Sequence, residues 1–286
     1  EEWGCRFSAT TDSEVIACVL ANAPGLDWSE RVQYLMRRVQ GAYSLVVLTR
    51  DALMAIRDPL GVRPLCVGKM SGGWIVASET CALDHLGAQF IREVAPGEAI
   101  IIDEKGMRTL HWSGERKRGL CIFEYIYFAR PDSVIGGKLV YSLRQSMGAR
   151  LAREHPVDAD VVIGVPDSAT AAAMGYAQEA GIPYNDGLMK NRYVGRTFIE
   201  PDQRVRDLGV RLKFNPLPAV LSGKRVVVVD DSIVRGTTTP HVVSLVRRAG
   251  AREVHLRVCA PPIRHPCHLG VDMASYRELI AANKSI

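Results

Sequence analysis

No uninterrupted apolar stretch in this sequence approaches the roughly 20 residues that a membrane-spanning helix needs, and no basic-then-apolar leader opens it. We therefore expect no membrane partner. A C-x-x-C pair is also missing. The seven cysteines (Cys5, Cys18, Cys66, Cys81, Cys121, Cys259, Cys267) are odd in number and dispersed, which argues against a secreted disulfide framework and for a reducing, cytoplasmic setting. The P-loop pattern G-x-x-x-x-G-K-[ST] does not occur. Excess charge is scarce: 36 Lys and Arg face 31 Asp and Glu, and a net +5 is too weak to imply a nucleic-acid partner. Finally, the sequence starts at Glu1 rather than Met and stops after Lys284-Ser285-Ile286, so we expect an internal piece of a longer chain.

What remains is an ordinary soluble composition, 47% hydrophobic and 23% charged. At about 150 residues per domain, 286 residues suggest two domains. Residues 12–23 and 28–39 carry apolar side chains at helical spacing. A run of short β-rich segments follows: 42–48, 52–56, 65–67, 74–77, 98–102 and 107–111. Gly, Pro and Asp break it repeatedly. This predicts layered α+β packing. The polar stretch Trp112–Gly119 sets the expected boundary, giving domains at 1–115 and 116–286. Beyond it, helical patterns (139–153, 169–180, 240–248) alternate with buried-type strands (159–165, 225–229, 253–259). That order predicts an α/β domain with a doubly wound parallel sheet, whose ligands sit beyond the carboxyl ends of the strands.

Arg225–Thr239, RVVVVDDSIVRGTTT, is the most informative segment. Consecutive valines suit a strand buried on both faces. Asp230 and Asp231 follow at its carboxyl end, able to accept hydrogen bonds from a sugar cis-diol or to face a Mg²⁺ held by substrate oxygens. Then come Ser232, Gly236, Thr237 and Thr238 ahead of a helix. Glycine permits close backbone approach, and a helix amino terminus offers free N–H groups to a phosphate. A phosphate cradle beside a diol reader fits a ribose 5-phosphate. The bland alternative, a turn followed by a capped helix, loses ground once the Gly-Thr-Thr-Thr run is counted.

This segment resembles the phosphoribosyl diphosphate-binding motif of type I phosphoribosyltransferases. With Val165-Pro166-Asp167-Ser168, with Lys190–Ile199 (KNRYVGRTFI) and with Cys121–Ser133 (CIFEYIYFARPDS), the whole sequence resembles the glutamine phosphoribosyldiphosphate amidotransferase family. That family catalyses the first committed step of purine synthesis. The resemblance implies a truncated Ntn-hydrolase (glutaminase) domain ahead of a phosphoribosyltransferase domain.

It further implies that phosphoribosyl diphosphate and glutamine are the substrates and that Mg²⁺ lies at Ser168, Asp230 and Asp231. Ser232–Thr238 would hold the 5-phosphate and Pro166–Ala169 would face the diphosphate. Lys190, Arg192, Tyr193 and Arg196 would belong to a lid that closes over the reaction. Cys121 and Cys267 match two of the four ligands of a [4Fe-4S] cluster in one class of these enzymes, the other two forming a C-x-x-C pair. The nucleophilic cysteine of the glutaminase is expected outside this sequence, since Cys5 does not occupy its place. Asp12 matches a position that contacts the α-amino group of glutamine, and it also suits a helix start. A homotetramer is the assembly implied. Two rivals stay in view, a salvage phosphoribosyltransferase and a non-catalytic phosphoribosyl-binding regulator. The preceding domain speaks against the first and the KNRYVGRTFI segment against the second. Nine Lys or Arg against four acids between Asp186 and Arg225 account for the entire net charge.

Overall fold

The computed structural model describes residues 4–111, 114, 118–191, 193 and 213–284. The chain forms two compact units, one of residues 1–124 and 133–137, the other of 125–132 and 138–286.

In the first unit, α1 (Asp12–Asn22) and α2 (Trp28–Arg38) form where the helical spacing predicts them. The Asp27 side chain accepts from the Glu30 N–H at 3.0 Å, capping α2, while Arg37 and Arg38 face its negative carboxyl end. Val32, Leu35 and Met36 form its buried stripe. Strands β1 (Ser44–Leu48), β2 (Leu53–Arg57), β6 (Glu98–Asp103) and β7 (Gly106–His111) make one antiparallel sheet in the order β1-β2-β6-β7. A second antiparallel sheet has the order β4-β3-β5, from β3 (Cys66–Met70), β4 (Gly73–Ala77) and β5 (Gln89–Glu93). Helix α3 (Thr80–His85) lies between β4 and β5 in the chain.

Side-chain alternation decides the layering. Met54, Ile56, Ala99 and Ile101 face α1 and α2, whereas Ala55, Ile100 and Ile102 face Leu65, Val67 and Val94 beneath the second sheet. The result is a helix layer on two stacked sheets. At its heart lies the Arg57-Asp58 pair, both buried. Arg57 donates to the carbonyls of Arg63 (2.8 Å), Val94 (2.5 Å) and Gly61 (3.0 Å), and Asp58 accepts from the N–H groups of Leu60 (2.9 Å), Val62 (3.1 Å) and Tyr43 (3.3 Å). The end of the polar stretch and the residues after it stay with this unit: Gly119 N–H donates to Leu60 O and Cys121 N–H to Val62 O. Cys5 and Cys18, the latter on α1, are joined in a disulfide, Cα to Cα 6.6 Å. This bond departs from the reducing setting that the dispersed cysteines led us to expect. The other five cysteines are free.

The second unit is built on parallel strands β8 (Val161–Gly164), β11 (Arg225–Asp230) and β12 (Glu253–Val258), with β11 central. Val226 and Val228 point to one face, against Val242, Leu245 and Val246 of α6 (Thr238–Arg248). Val227 and Val229 point to the other, against α4 (Val140–Glu154) and α5 (Thr170–Ala180) through Leu151, Ala172 and Tyr176. All four valines are fully buried, as a doubly covered strand requires. Helices α4 and α5 cross very closely: a Cβ on Gly148 would lie 1.8 Å from Ala172 O, and one on Gly175 would lie 2.0 Å from Gln145 O. A short antiparallel ribbon, β9 (Leu188–Lys190) with β10 (Phe214–Pro216), stands beside the sheet and was not foreseen from the sequence. Among the described residues, no helix is long and apolar enough to cross a membrane.

Candidate functional site

Strand β11 carries the site. Its last residue, Asp230, and the next, Asp231, are each 7% exposed at the carboxyl end of the central strand. The Asp231 N–H donates to Asp230 Oδ1 at 2.9 Å, and the neighbouring strand end is tied in by Cys259 N–H to Asp230 O (3.0 Å) and Ala260 N–H to Asp231 O (2.8 Å). Ser168 Oγ donates to one oxygen of Asp231 and Ser232 Oγ to the other, the latter at 2.5 Å. The sequence separates Ser168 from Asp231 by 63 residues, and the parallel pairing of β8 with β11 brings their strand ends together. Burial raises the pKa of both Asp carboxyls, at Asp230 to about 7, where the adjacent charge of Asp231 adds to the effect; at Asp231 the hydrogen bonds from Ser168 and Ser232 oppose it.

Past the pair, Ser232–Gly236 is a partly buried loop leading to Thr237, which is exposed at the N-cap of α6. Gly236 has φ +72°, a conformation that favours glycine, and Ile280 Cδ1 lies 2.5 Å from where a Cβ would stand. Thr238 is the first helical residue. Across the sheet end, Pro166-Asp167-Ser168 leads into α5, with a cis peptide between Pro166 and Asp167. Lys190 Nζ donates to Asp167 Oδ2 at 2.5 Å.

Lys213 escaped the sequence reading as a site residue. The ribbon holds it opposite Asn191, whose N–H donates to Lys213 O at 2.8 Å. Desolvation lowers the pKa of its ammonium and Lys190 adds to the effect, while Asp231, Asp230 and Asp167 oppose it. Only the antiparallel register of two three-residue strands signals this placement, and such short strands leave no periodicity to read. The structure thus gathers Asp167, Ser168, Lys190, Lys213, Asp230, Asp231 and the Ser232–Thr238 loop. Tyr193 is 99% exposed. Arg192, Gly195 and Arg196 lie outside the described residues. In the first unit, Asp12 is exposed and opens α1.

The donor set at the Asp pair is hard oxygen. Mg²⁺ typically takes one or two protein carboxylates and completes its shell with water and substrate phosphate, so two desolvated carboxylates with a serine hydroxyl suit it. A [4Fe-4S] cluster needs four thiolates. Cys121 and Cys267 are free and partly buried, and among the described residues no group of three His, Cys, Asp or Glu side chains gathers around a common point. The described residues therefore do not assemble a cluster site.

A parallel sheet with a carboxylate pair and a glycine-turned loop at its carboxyl edge, following a helix-on-two-sheets unit, fits a phosphoribosyltransferase domain behind an Ntn-type amidotransferase domain. Family comparison divides the chain in the same way: residues 1–85 match the glutamine amidotransferase domain and residues 142–282 the phosphoribosyl transferase domain. Over nearly its whole length the chain is similar to amidophosphoribosyltransferases. It is 52% identical to amidophosphoribosyltransferase of Mycobacterium bovis over 278 residues, covering 97% of this chain and 53% of that protein. Identity to the Bacillus subtilis enzyme is 47% over 286 residues, 100% of this chain and 60% of that protein. The solved structure of the B. subtilis glutamine phosphoribosylpyrophosphate amidotransferase, complexed with ADP and GMP, superimposes with a TM-score of 0.90, covering 99% of this chain and 62% of that one. The chain spans about half the length of the curated relatives it matches.

Proposed function

We propose that the protein works as an amidophosphoribosyltransferase, moving glutamine-derived ammonia onto phosphoribosyl diphosphate to give 5-phosphoribosylamine, diphosphate and glutamate in purine synthesis. The observation that carries this reading is the buried Asp230-Asp231 pair flowing directly into the Ser232–Thr238 loop at the amino terminus of α6. Ring hydroxyls donate to the Asp pair, while the 5-phosphate accepts from loop N–H groups and from Thr237 and Thr238. Lys190 and Lys213, with Asp167 orienting the first, face the diphosphate and neutralise it as it leaves. Arg192 and Tyr193 would join them when the segment closes.

Ser168, Asp230 and Asp231 would hold Mg²⁺, which would supply charge neutralisation of the leaving group when bound. Ammonia then attacks C1: the C–N bond forms as the C1–O bond to diphosphate breaks, and the nitrogen sheds a proton. Positioning and charge stabilisation supply most of the acceleration. In this division residues 1–115 serve glutamine, with Asp12 on its α-amino group, and residues 116–286 serve the transfer. A cytoplasmic location fits the five free thiols, and homo-oligomeric assembly, a tetramer by resemblance, accompanies the reading.

Calorimetric titration with phosphoribosyl diphosphate tests the reading. Binding should require Mg²⁺, and Asp230→Asn or Asp231→Asn should weaken it roughly 10- to 100-fold, the worth of a charged hydrogen bond. Binding indifferent to Mg²⁺ and to both substitutions would overturn it.

A further inference from the structure

An arginine inside a phosphate loop reads at first as a phosphate ligand, since its fork matches an oxyanion well. The surroundings of Arg235 argue otherwise. Its Nε donates to Glu278 Oε2 at 3.0 Å and its Nη2 to the same oxygen at 2.5 Å. The same Nη2 reaches Asp272 O at 3.1 Å and Asp272 Oδ2 at 3.4 Å. Two carboxylates thus more than balance one guanidinium. Glu278 is itself fixed by Ser275 Oγ, which donates to Oε1 at 2.9 Å.

The neighbours of Arg235 make contact with the same segment. Ile280 N–H donates to Val234 O at 3.0 Å, and Ile280 Cδ1 fills the space where a side chain on Gly236 would go. Three consecutive loop residues therefore lean on residues 272–280 by two ion pairs, a backbone hydrogen bond and a side-chain contact. The segment can bear that load because Met273 is 5% exposed and Leu279 fully buried.

We infer that Arg235 is a positioning residue: it braces the phosphate loop from behind against Glu278 and Asp272 and makes no bond to phosphate. The inference rests on the proposed function only for the identity of the ligand. A loop of five residues has many backbone states, and donors that must converge on one anion gain from having those states removed beforehand. The phosphate then takes its hydrogen bonds from the loop backbone and threonine hydroxyls, on the side away from the guanidinium.

The test uses Arg235→Gln, Glu278→Gln, their double variant and Arg235→Lys, titrated with Mg²⁺ and phosphoribosyl diphosphate far below the unfolding midpoint. A brace predicts that both single variants weaken binding about tenfold, that the double variant is no worse than either, and that lysine restores part of the loss. If Arg235 binds phosphate, Arg235→Gln alone weakens binding, whereas Glu278→Gln leaves it unchanged or tightens it by removing a nearby negative charge. That outcome overturns the inference. So does a lowered unfolding midpoint with unchanged affinity in both variants. Hydrogen exchange at residues 234–238 gives a readout free of ligand identity: exchange should quicken in both single variants. Unchanged exchange rejects the brace even if the wild-type protein binds no phosphoribosyl diphosphate, a result that would count separately against the proposed function.

Discussion

Substituting Gly148 by Ala sets two known effects against each other. In the middle of a helix, Ala is favoured over Gly by about 1 kcal/mol, so on propensity alone the variant of α4 should be more stable. The crossing with α5 opposes this. The new methyl would lie 1.8 Å from Ala172 O, and reaching the edge of ordinary contact at 3.4 Å means parting the helices by about 1.5 Å. Overpacking typically costs about 1–3 kcal/mol, and here the obstacle is backbone, which cannot rotate away. Taking the upper end and subtracting the propensity gain leaves a net loss of about 2 kcal/mol.

Urea unfolding can localise the effect. All four tryptophans, Trp3, Trp28, Trp74 and Trp112, precede residue 125, so their fluorescence reports the first unit while far-ultraviolet circular dichroism reports both. The dichroism transition of the second unit should move to lower urea and the tryptophan transition should hold. Gly175→Ala, whose methyl would lie 2.0 Å from Gln145 O, should behave alike. A Gly148→Ala variant as stable as the wild type, or more so, would refute the packing argument.

Two further outcomes follow from other parts of the molecule. Because burial raises the pKa of Asp230 and Asp231 above the unfolded value of 3.8, their contribution to stability is full below that pH and fades as pH rises through the folded pKa. The ligand-free protein should therefore melt progressively lower from pH 5 to pH 8, Mg²⁺ with phosphoribosyl diphosphate should offset the loss, and Asp230→Asn should flatten it. A midpoint that climbs over this range contradicts the assignment. In the first unit, Arg57→Leu removes the donors to three carbonyls and strips a neighbour from buried Asp58, and should cost about 3–5 kcal/mol in chemical denaturation. A loss below about 1 kcal/mol would show that water replaces the guanidinium.

Much of the fold was legible because it is periodic. The stripe Val32, Leu35, Met36 announces α2, and the valines of β11 announce a doubly covered strand. The Asp pair and the loop after it were legible as a contiguous string. What stayed hidden depends on contacts between distant residues. Arg235 and Glu278 are 43 apart in sequence, and no local pattern links them. Lys213 joins the site through a ribbon only three pairs long, and helix α3 is too short to establish a period. The Cys5–Cys18 bond depends on which cysteines the fold brings together, which composition does not record.

The central position of β11 also divides the site by rigidity. Asp230 ends a strand that can lose its partners only if neighbours on both sides peel away, so its amide should exchange with solvent only on unfolding of the whole unit. The loop immediately after it is held through Arg235, which pairs with Glu278 and Asp272, through the Val234 carbonyl and through a side-chain contact at Gly236, and can open alone at a far smaller free-energy cost. A ligand bound across both parts is measured at one end against a fixed ruler and received at the other by an adjustable jaw, so variation in the loop can retune affinity without disturbing the register of the carboxylates.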